Sequence, residues 1–565
     1  MPPLQETVAR IAARSPSSGR WQLAAWGALA WIWFGSLGWR ALISPDEGRY
    51  ATIALGMMQS GDWLTPRLNG LLYFEKPPLP YWAGAASLQL LGINEFAVRL
   101  WPALTGFLTV IVVAATARRL WGEAAGRYAA LVAGSTTWII AGSHFLSLDM
   151  GLAFFLTLAL CGFLLAQRDG IAAVQRRHLM WLCWAAMAGA TLTKGLVGLV
   201  IPGATLMVYS LVQRQFDFWR RMHWASGLAI YLALAAPWFA AMSIRHPEFF
   251  DFFFVHEHFR RFLTDEARRT GSLLYFVPYL LAGLLPWTTL LPGLCRTGAG
   301  GEPGANFQPL RLLLIWSAFV FVFFSISRSK LPSYILPMFP ALALLAGHQL
   351  ARMAPARLRW HLLAPAALAF ALLAALPFAG RLATPGLPME VVQPFARALA
   401  LAAATFLLAA ALAWRLLARG QQQPAVALVA LGSLLALTLG MAGHDSYGAA
   451  LKSSKTAVVQ LAPYLRPDTE VFAVRTYDQT LPFYLRRPVT LVDYRDEFSL
   501  GERADPARWL PSLDPFVARW RNAPRAAALM APETYRELQQ LELPMRVAYR
   551  DPNRVVVVKP EADSR

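Results

Sequence analysis

Ser44-Pro-Asp-Glu-Gly-Arg-Tyr50 follows directly on an apolar stretch, 21–43, and its reading governs how the rest of the chain is understood. Ser44, Pro45 and Glu47 form a helix-start signature, with Ser as N-cap, Pro in the first turn and an acid three residues on. Acids are favoured near the positive end of any helix, which accounts for Asp46 and Glu47 without a function. Their location gives them more. They stand just beyond a first membrane span, ahead of an amphipathic stretch, 49–59, whose Ile53, Leu55, Met57 and Met58 are suited to lie along a bilayer surface. A carboxylate held there faces a lipid-borne substrate and is usable for catalysis or binding.

Working outward, the composition agrees with a membrane setting. The 565 residues are 56% hydrophobic and only 15% charged, too little charge to cover a soluble protein of this size. The net charge is +19, but the basic residues sit between long apolar runs, so a membrane rather than a nucleic acid is the expected partner. Cys161, Cys183 and Cys295 show no CxxC spacing and indicate neither a disulfide scaffold nor a thiolate metal site.

A spanning helix needs roughly 20 apolar residues. Thirteen stretches come close: 21–43, 96–117, 124–142, 148–167, 179–193, 195–213, 224–243, 273–294, 311–327, 331–350, 360–379, 394–417 and 424–443. The first reads as a retained span rather than a signal peptide, because it is long, rich in Trp and lacks a small-residue cleavage site. Arginines recur in alternate connections, from Arg10, Arg14 and Arg20 through Arg118 and Arg119 to Arg415 and Arg419, which puts the N-terminus inside and the C-terminal segment outside.

Three outside connections break that pattern. Residues 44–95 hold Arg49, Arg67 and Lys76; residues 244–271 hold Arg245, Arg260, Arg261, Arg268 and Arg269; and Ser325–Tyr334 holds Arg328 and Lys330. Orientation does not explain these cations, whereas phosphate does, since Arg forks and Lys point charges bind it well. Beyond the membrane part, 1–443, residues 444–565 carry 18 Lys and Arg against 16 Asp and Glu, which leaves +17 of the net charge to the membrane part. There, β-like runs at 470–474, 489–492 and 555–558 alternate with helical patterns at 453–465, 505–521 and 532–541, the sign of a small outer α/β domain.

Within the first outside connection lies Tyr73-Phe-Glu-Lys-Pro-Pro-Leu-Pro-Tyr-Trp82. Its three prolines within four residues are expected to hold the backbone extended and to display Glu75 and Lys76 on a stiff segment. In the third outside connection, His256 and His258 form a His-x-His pair that converges on one ion only if the segment is extended.

The pairing of 45–50 with 73–82 resembles the first outside loop of the lipid A aminoarabinose transferases, membrane glycosyltransferases of the GT-C fold related to the protein O-mannosyltransferases. Ser-His-Phe-Leu-Ser-Leu-Asp at 143–149, Thr-Lys-Gly at 193–195 and Ser-Arg-Ser-Lys-Leu-Pro-Ser-Tyr at 327–334 extend the resemblance over 44–350; beyond 350 only topology and the outer domain agree. The resemblance implies transfer of 4-amino-4-deoxy-L-arabinose from undecaprenyl phosphate to a phosphate of lipid A, on the periplasmic face of the bacterial inner membrane, with resistance to polymyxin and cationic peptides as the outcome. It implies no nucleotide cofactor. Lys76 and Arg261, with Arg260 as its competitor, are implied as donor-phosphate ligands. Arg49, Arg328, Lys330, Tyr334, Tyr73 and Tyr50 are further candidates for phosphate or donor. Glu75 with His256 matches a zinc-binding pair, His258 being a second imidazole beside it.

Departure of a polyprenyl phosphate leaves negative charge on oxygen near a low-dielectric boundary, so fixed cations lower that barrier. Asp46, Glu47 and Asp149 are the candidate catalytic acids. A phosphate acceptor is already anionic near neutral pH and needs no strong base, so the expected role of Asp46 is to orient the acceptor or to stabilise positive charge at the sugar. Asp149 assists, or binds the protonated sugar amine. His144 and Lys194, on short outside turns, rank below the loop residues. A sibling transferase with another polyprenyl-linked sugar or a protein hydroxyl acceptor would need Asp46 as a base. A lipid transporter is disfavoured, because its ionisable groups would gather near the midplane rather than in outside loops.

Overall fold

The computed structural model describes residues 27–254, 271–302, 307–494, 498 and 506–560. Apolar helices form a bundle, and one end of it carries both the 44–95 connection and an α/β domain. Among the described residues seven helices are long and apolar enough to cross a membrane: Glu95–Trp121, Asp149–Ala166, Trp224–Arg245, Pro309–Ile326, Pro355–Leu382, Met389–Ala418 and Gln422–Leu451. Phe276–Gly283 and Thr288–Gly300 make an eighth if counted together, although they bend by 109° at their junction. Helix also stands at the remaining expected spans, but it is short at Val197–Gln213, opens on a polar turn at Ala173–Lys194, and is broken at Glu123–Ala133 with Thr137–His144 and at Pro332–Met338 with Phe339–Leu350. The first is described as helix over 27–35. The count of thirteen therefore rests on sequence beyond the seven or eight.

The last bundle helix runs to Leu451, past the expected boundary at 443. The α/β domain that follows holds a six-stranded sheet in the order β5-β4-β3-β6-β8-β7. Here β1 and β2 are the short hairpin Arg67–Leu68 and Leu71–Leu72 of the first connection, β3 is Glu470–Val474, β4 Thr490–Val492, β5 Trp509–Leu510, β6 Ala526–Met530, β7 Arg546–Arg550 and β8 Val555–Val558. Strands β3 to β6 pair in parallel, while β8 and β7 run antiparallel at one edge. The helix expected over 505–521 starts only at Leu513, because Pro506–Arg508 is a 3-10 turn and Trp509–Leu510 joins the sheet edge. Strand β6, Ala-Ala-Ala-Leu-Met, goes unseen in the sequence: its residues favour helix, and burial between β3 and β8 overrides that propensity.

Successive side chains of a strand point to opposite faces, and the domain uses both. Phe472, Val474, Val492, Met530, Val555 and Val557 pack with Phe516 and Trp520 of the domain's own helix Leu513–Asn522. On the other face Val471, Leu491, Leu529 and Val556 share a core with Ile53, Met57, Leu68, Leu71, Tyr73 and Tyr81 of the first connection. This corrects the expectation for 49–59. Ile53, Leu55 and Met57 are at most 2% exposed, buried against protein rather than lying on a bilayer.

Two local expectations also change. The helix Asp46–Ser60 has no side-chain cap, since the Ser44 hydroxyl donates instead to the Gln479 side chain of the α/β domain. The prolines of 77–80 do not keep the chain extended. Pro78 precedes the helix Leu79–Leu91 and Pro80 sits in its first turn, where a missing N–H costs nothing.

Candidate active site

Two helix starts supply the acids. Asp46 opens Asp46–Ser60, and its carboxylate, 45% exposed, pairs with Arg49 Nη1 at 2.7 Å one turn along. Asp149 opens Asp149–Ala166 and is buried. It pairs with the ammonium of Lys194, which ends the helix Ala173–Lys194. That ammonium lies 4.4 Å from the centre of the Tyr334 ring, a cation-π contact. Anions at helix N-termini and a cation at a helix C-terminus are each favoured by the helix dipole.

These groups form one electrostatic neighbourhood. Burial is the main cause that raises the Tyr50 phenol well above its ordinary pKa, and both Asp46 and Asp149 add to it. Tyr73 is raised likewise, by burial first and then by Glu75. The Tyr50 and Tyr81 rings are 6.1 Å apart, and Asp46 lies in electrostatic reach of Lys194. The structure thus gathers Asp46, Arg49, Tyr50, Tyr73, Glu75, Asp149 and Tyr334, as the sequence suggested, and adds Lys194. Lys76 is half-buried beside them, its Nζ donating to the Glu75 carbonyl at 2.8 Å. Lys194 was legible in Thr-Lys-Gly, but only the fold shows that it carries Asp149.

Three expectations are displaced. Glu47, paired in the sequence with Asp46 as an acid for catalysis, is 2% exposed and points the other way. Arg99 Nε and Nη2 each bond to it at 2.7 Å, and the Ile43 and Leu146 N–H groups donate at 3.1 and 3.0 Å. Burial alone would raise its pKa, but the charge and bonds of Arg99 hold the carboxyl below its ordinary value. Lys330 is also buried, its Nζ donating to the carbonyls of Ser325 and Ser327 at 2.6 and 2.7 Å. It ties a turn instead of presenting a free ammonium, while Arg328 is exposed on the same turn. His144, finally, sets its two ring nitrogens against the carbonyls of Ile140 and Trp33, 2.8 Å each, a packing role.

Arg260, Arg261, His256 and His258 lie outside the described residues. The chain leading to them is braced against the first connection. Arg245 pairs with Asp62 at 3.1 Å, His246 Nε2 is 3.2 Å from the Thr65 hydroxyl, and the Phe74 ring lies 5.2 Å from His246 and 5.5 Å from Phe249. Glu75 therefore follows a residue already packed on that chain. No group of three or more metal-ligating side chains occurs among the described residues.

Comparison with known proteins gives this geometry a setting. Residues 24–253 match the family model described as dolichyl-phosphate-mannose-protein mannosyltransferase, and residues 457–559 match the aminoarabinose transferase C-terminal domain. The crystal structure of ArnT from Cupriavidus metallidurans bound to undecaprenyl phosphate is 40% identical, covers 96% of this chain and 98% of its own, and superposes with a TM-score of 0.91. The chain belongs to the ArnT family. Its architecture is accordingly the GT-C membrane fold with an ArnT-type C-terminal domain. The apo structure of the same Cupriavidus protein gives a TM-score of 0.90 over 97% of this chain and 99% of that one. Among curated ArnT-type relatives, the undecaprenyl phosphate-alpha-4-amino-4-deoxy-L-arabinose arabinosyl transferases of Edwardsiella ictaluri and Pseudomonas aeruginosa are each 36% identical, over 311 and 310 residues. Those matches span 54% of this chain and 55% of each relative, so the chain spans about half the length of the curated relatives it matches.

The ion pair beneath the site is open to test. Removing one partner of a buried pair costs roughly 3–5 kcal/mol, so Glu47→Ala should lower unfolding stability in detergent by about that much, whereas Asp46→Asn, at a part-exposed pair, should cost no more than about 1 kcal/mol. Because the Glu47 carboxyl has a folded pKa below its ordinary 4.5, its contribution is fully present above that value and is lost as pH falls through the folded pKa. Thermal unfolding followed from neutral to acid pH should show a loss in wild type that Glu47→Gln lacks.

Proposed function

We propose that this chain moves 4-amino-4-deoxy-L-arabinose from undecaprenyl phosphate to a phosphate of lipid A. The observation that carries the reading is the close agreement, over nearly the whole of both chains, with the ArnT structure bound to undecaprenyl phosphate, at a site that gathers acids, cations and tyrosines. In the transfer, the bond between the sugar's anomeric carbon and the carrier phosphate breaks and that carbon bonds to an oxygen of the acceptor phosphate. Undecaprenyl phosphate leaves with the electron pair. Lys76 and Arg261, with Arg49 and Arg260 beside them in role, hold the phosphate charge that grows on the leaving group. Tyr334 donates a hydrogen bond to phosphate. The partners are then a lipid-linked aminosugar and lipid A, with no nucleotide.

Asp46 and Asp149 already carry cations, so neither is set up as a strong base. Asp46, the more exposed, orients the acceptor or stabilises the positive charge that develops at the sugar, and Asp149 offers a counter-charge to the sugar amine. Zinc belongs to the same proposal. Glu75 with His256, or His258, would hold a divalent ion that clamps the first connection to the third; elemental analysis of purified protein should find zinc at about one ion per chain, and none in Glu75→Ala. The enzyme resides in the bacterial inner membrane, its N-terminus cytoplasmic and its α/β domain periplasmic. Cys295 is exposed while Cys161 and Cys183 are buried, so an impermeant maleimide should label the native chain in inverted vesicles and not in right-side-out ones. Labelling of the opposite kind would reverse the topology.

Mass spectrometry of lipid A from cells with and without the gene tests the function itself. A mass gain matching one aminopentose is expected, and it should fall at least tenfold in Asp46→Asn. Unchanged lipid A together with altered protein glycosylation would replace this reading with the hydroxyl-acceptor sibling.

A further inference from the structure

The helix that presents Asp46 has a second face, and the α/β domain occupies it. Gly48 and Thr52, four positions apart in the helix, share one side, nearly opposite Asp46 and Tyr50, and Ser44 stands just before the helix start. All three meet the turn Gln479–Thr480. The Ser44 hydroxyl donates to Gln479 Oε1, and the buried Thr52 hydroxyl donates to the Gln479 carbonyl at 2.9 Å. At Gly48 the approach is closer still: a Cβ there would lie 2.5 Å from Gln479 C and from Thr480 N. A side chain of any size is excluded by backbone, which cannot swing aside as a flexible side chain could.

The turn is itself held from behind. Asp478 Oδ1 accepts from the Thr480 N–H at 2.9 Å and from its hydroxyl at 2.7 Å. Asp478 Oδ2 accepts from the Ser454 hydroxyl at 2.7 Å and from Arg554 Nη1 at 2.9 Å. Arg554 also bonds the carbonyls of Ser453 and Ala450, at 2.5 and 3.0 Å, where the last bundle helix ends. The chain of contacts therefore runs without a gap from the bundle, through Arg554, Asp478 and Gln479, to the back of the Asp46 helix. Asp478 and Arg554 are each at most 8% exposed, so water competes little for these bonds.

We propose that the Gln479–Thr480 turn is the positioning element of the active site. Gln479 sets the depth and rotation of the Asp46 helix, Gly48 permits the contact, and the C-terminal domain acts on catalysis through them. The inference rests on the transferase reading above. A displacement of about 1 Å at a reacting group can cost on the order of 100-fold in rate, and a carbon at 2.5 Å from backbone must retreat by a comparable distance to reach ordinary contact.

The test uses the purified full chain in lipid vesicles with a polyprenyl-phosphate aminopentose donor and lipid A. Gly48→Ala should lower kcat by about 10- to 100-fold with the donor KM within about threefold. Gln479→Ala should lower kcat by about 10-fold, while Gln479→Glu, whose carboxylate still accepts from Ser44, should restore it. Val557→Ala, on the far face of the sheet, is the control; it should lower the domain's melting temperature and leave kcat intact. If wild type transfers and both turn variants match it, the inference fails alone. It fails too if Val557→Ala loses kcat as the turn variants do, since any loosening of the domain would then suffice. A wild type that transfers nothing overturns the transferase reading and this inference with it.

Discussion

The Glu47 carboxylate takes four donors at once, two from Arg99 and one each from the backbone of Ile43 and Leu146. Arg99 in turn uses its remaining N–H groups on the carbonyls of Leu37, Arg40 and Ala41. One buried pair therefore fastens four pieces of chain: the exit of the first helix, the start of the Asp46 helix, the helix Glu95–Trp121, and the stretch that leads into Asp149. Ions buried without partners would cost several kcal/mol each, and here each lone pair and each proton has its counterpart. The two acids of the site are placed from this knot, Asp46 as the residue before Glu47 and Asp149 three residues after Leu146.

The other charges of the site are arranged differently. Asp46 and Asp149 each hold one cation, Arg49 and Lys194, so those pairs are close to neutral as they stand. Beside them Lys76 donates to the Glu75 carbonyl. The acids are thus already screened by their own partners, which weakens their repulsion toward any anion that approaches. The tyrosines suit that setting, because phenols kept protonated by burial donate hydrogen bonds to anions and add no charge.

Much of this was legible in sequence, for reasons that differ by residue. Apolar runs between arginines mark the bundle because lipid leaves few alternatives to helix, and Val555–Val558 marks its strand by composition. Asp46, Asp149, Lys76 and Tyr73 stood out because charge and aromatic rings beside a span are rare. The failures share a cause as well. Glu47 and Asp46 are neighbours of one type, and only a partner 52 residues away, Arg99, separates the buried acid from the exposed one. Lys330 looked like a phosphate ligand until two local carbonyls claimed its protons. Strand β6 and the burial of Ile53 and Met57 depend on contacts between the two ends of the chain, which no local pattern records. Gln479 had no signal at all, for an uncharged side chain in a loop is conspicuous only through what it touches.

That the first connection shares a core with the sheet has a bearing on how the protein is made. Residues 44–60 leave the ribosome long before Gln479, which lies 435 positions beyond Ser44, and before β8, which is wedged between β6 and β7. Until the Gln479 turn is in place, that side of the Asp46 helix has no cover, although Ala51, Ala54 and Leu55 already pack on Leu88, Ala97 and Val98. A chain stopped short of the sheet would keep the packing of the Asp46 helix on Leu88, Ala97 and Val98 and lose its bonds to Gln479. Completion of the site therefore joins an early segment of the chain to a late one.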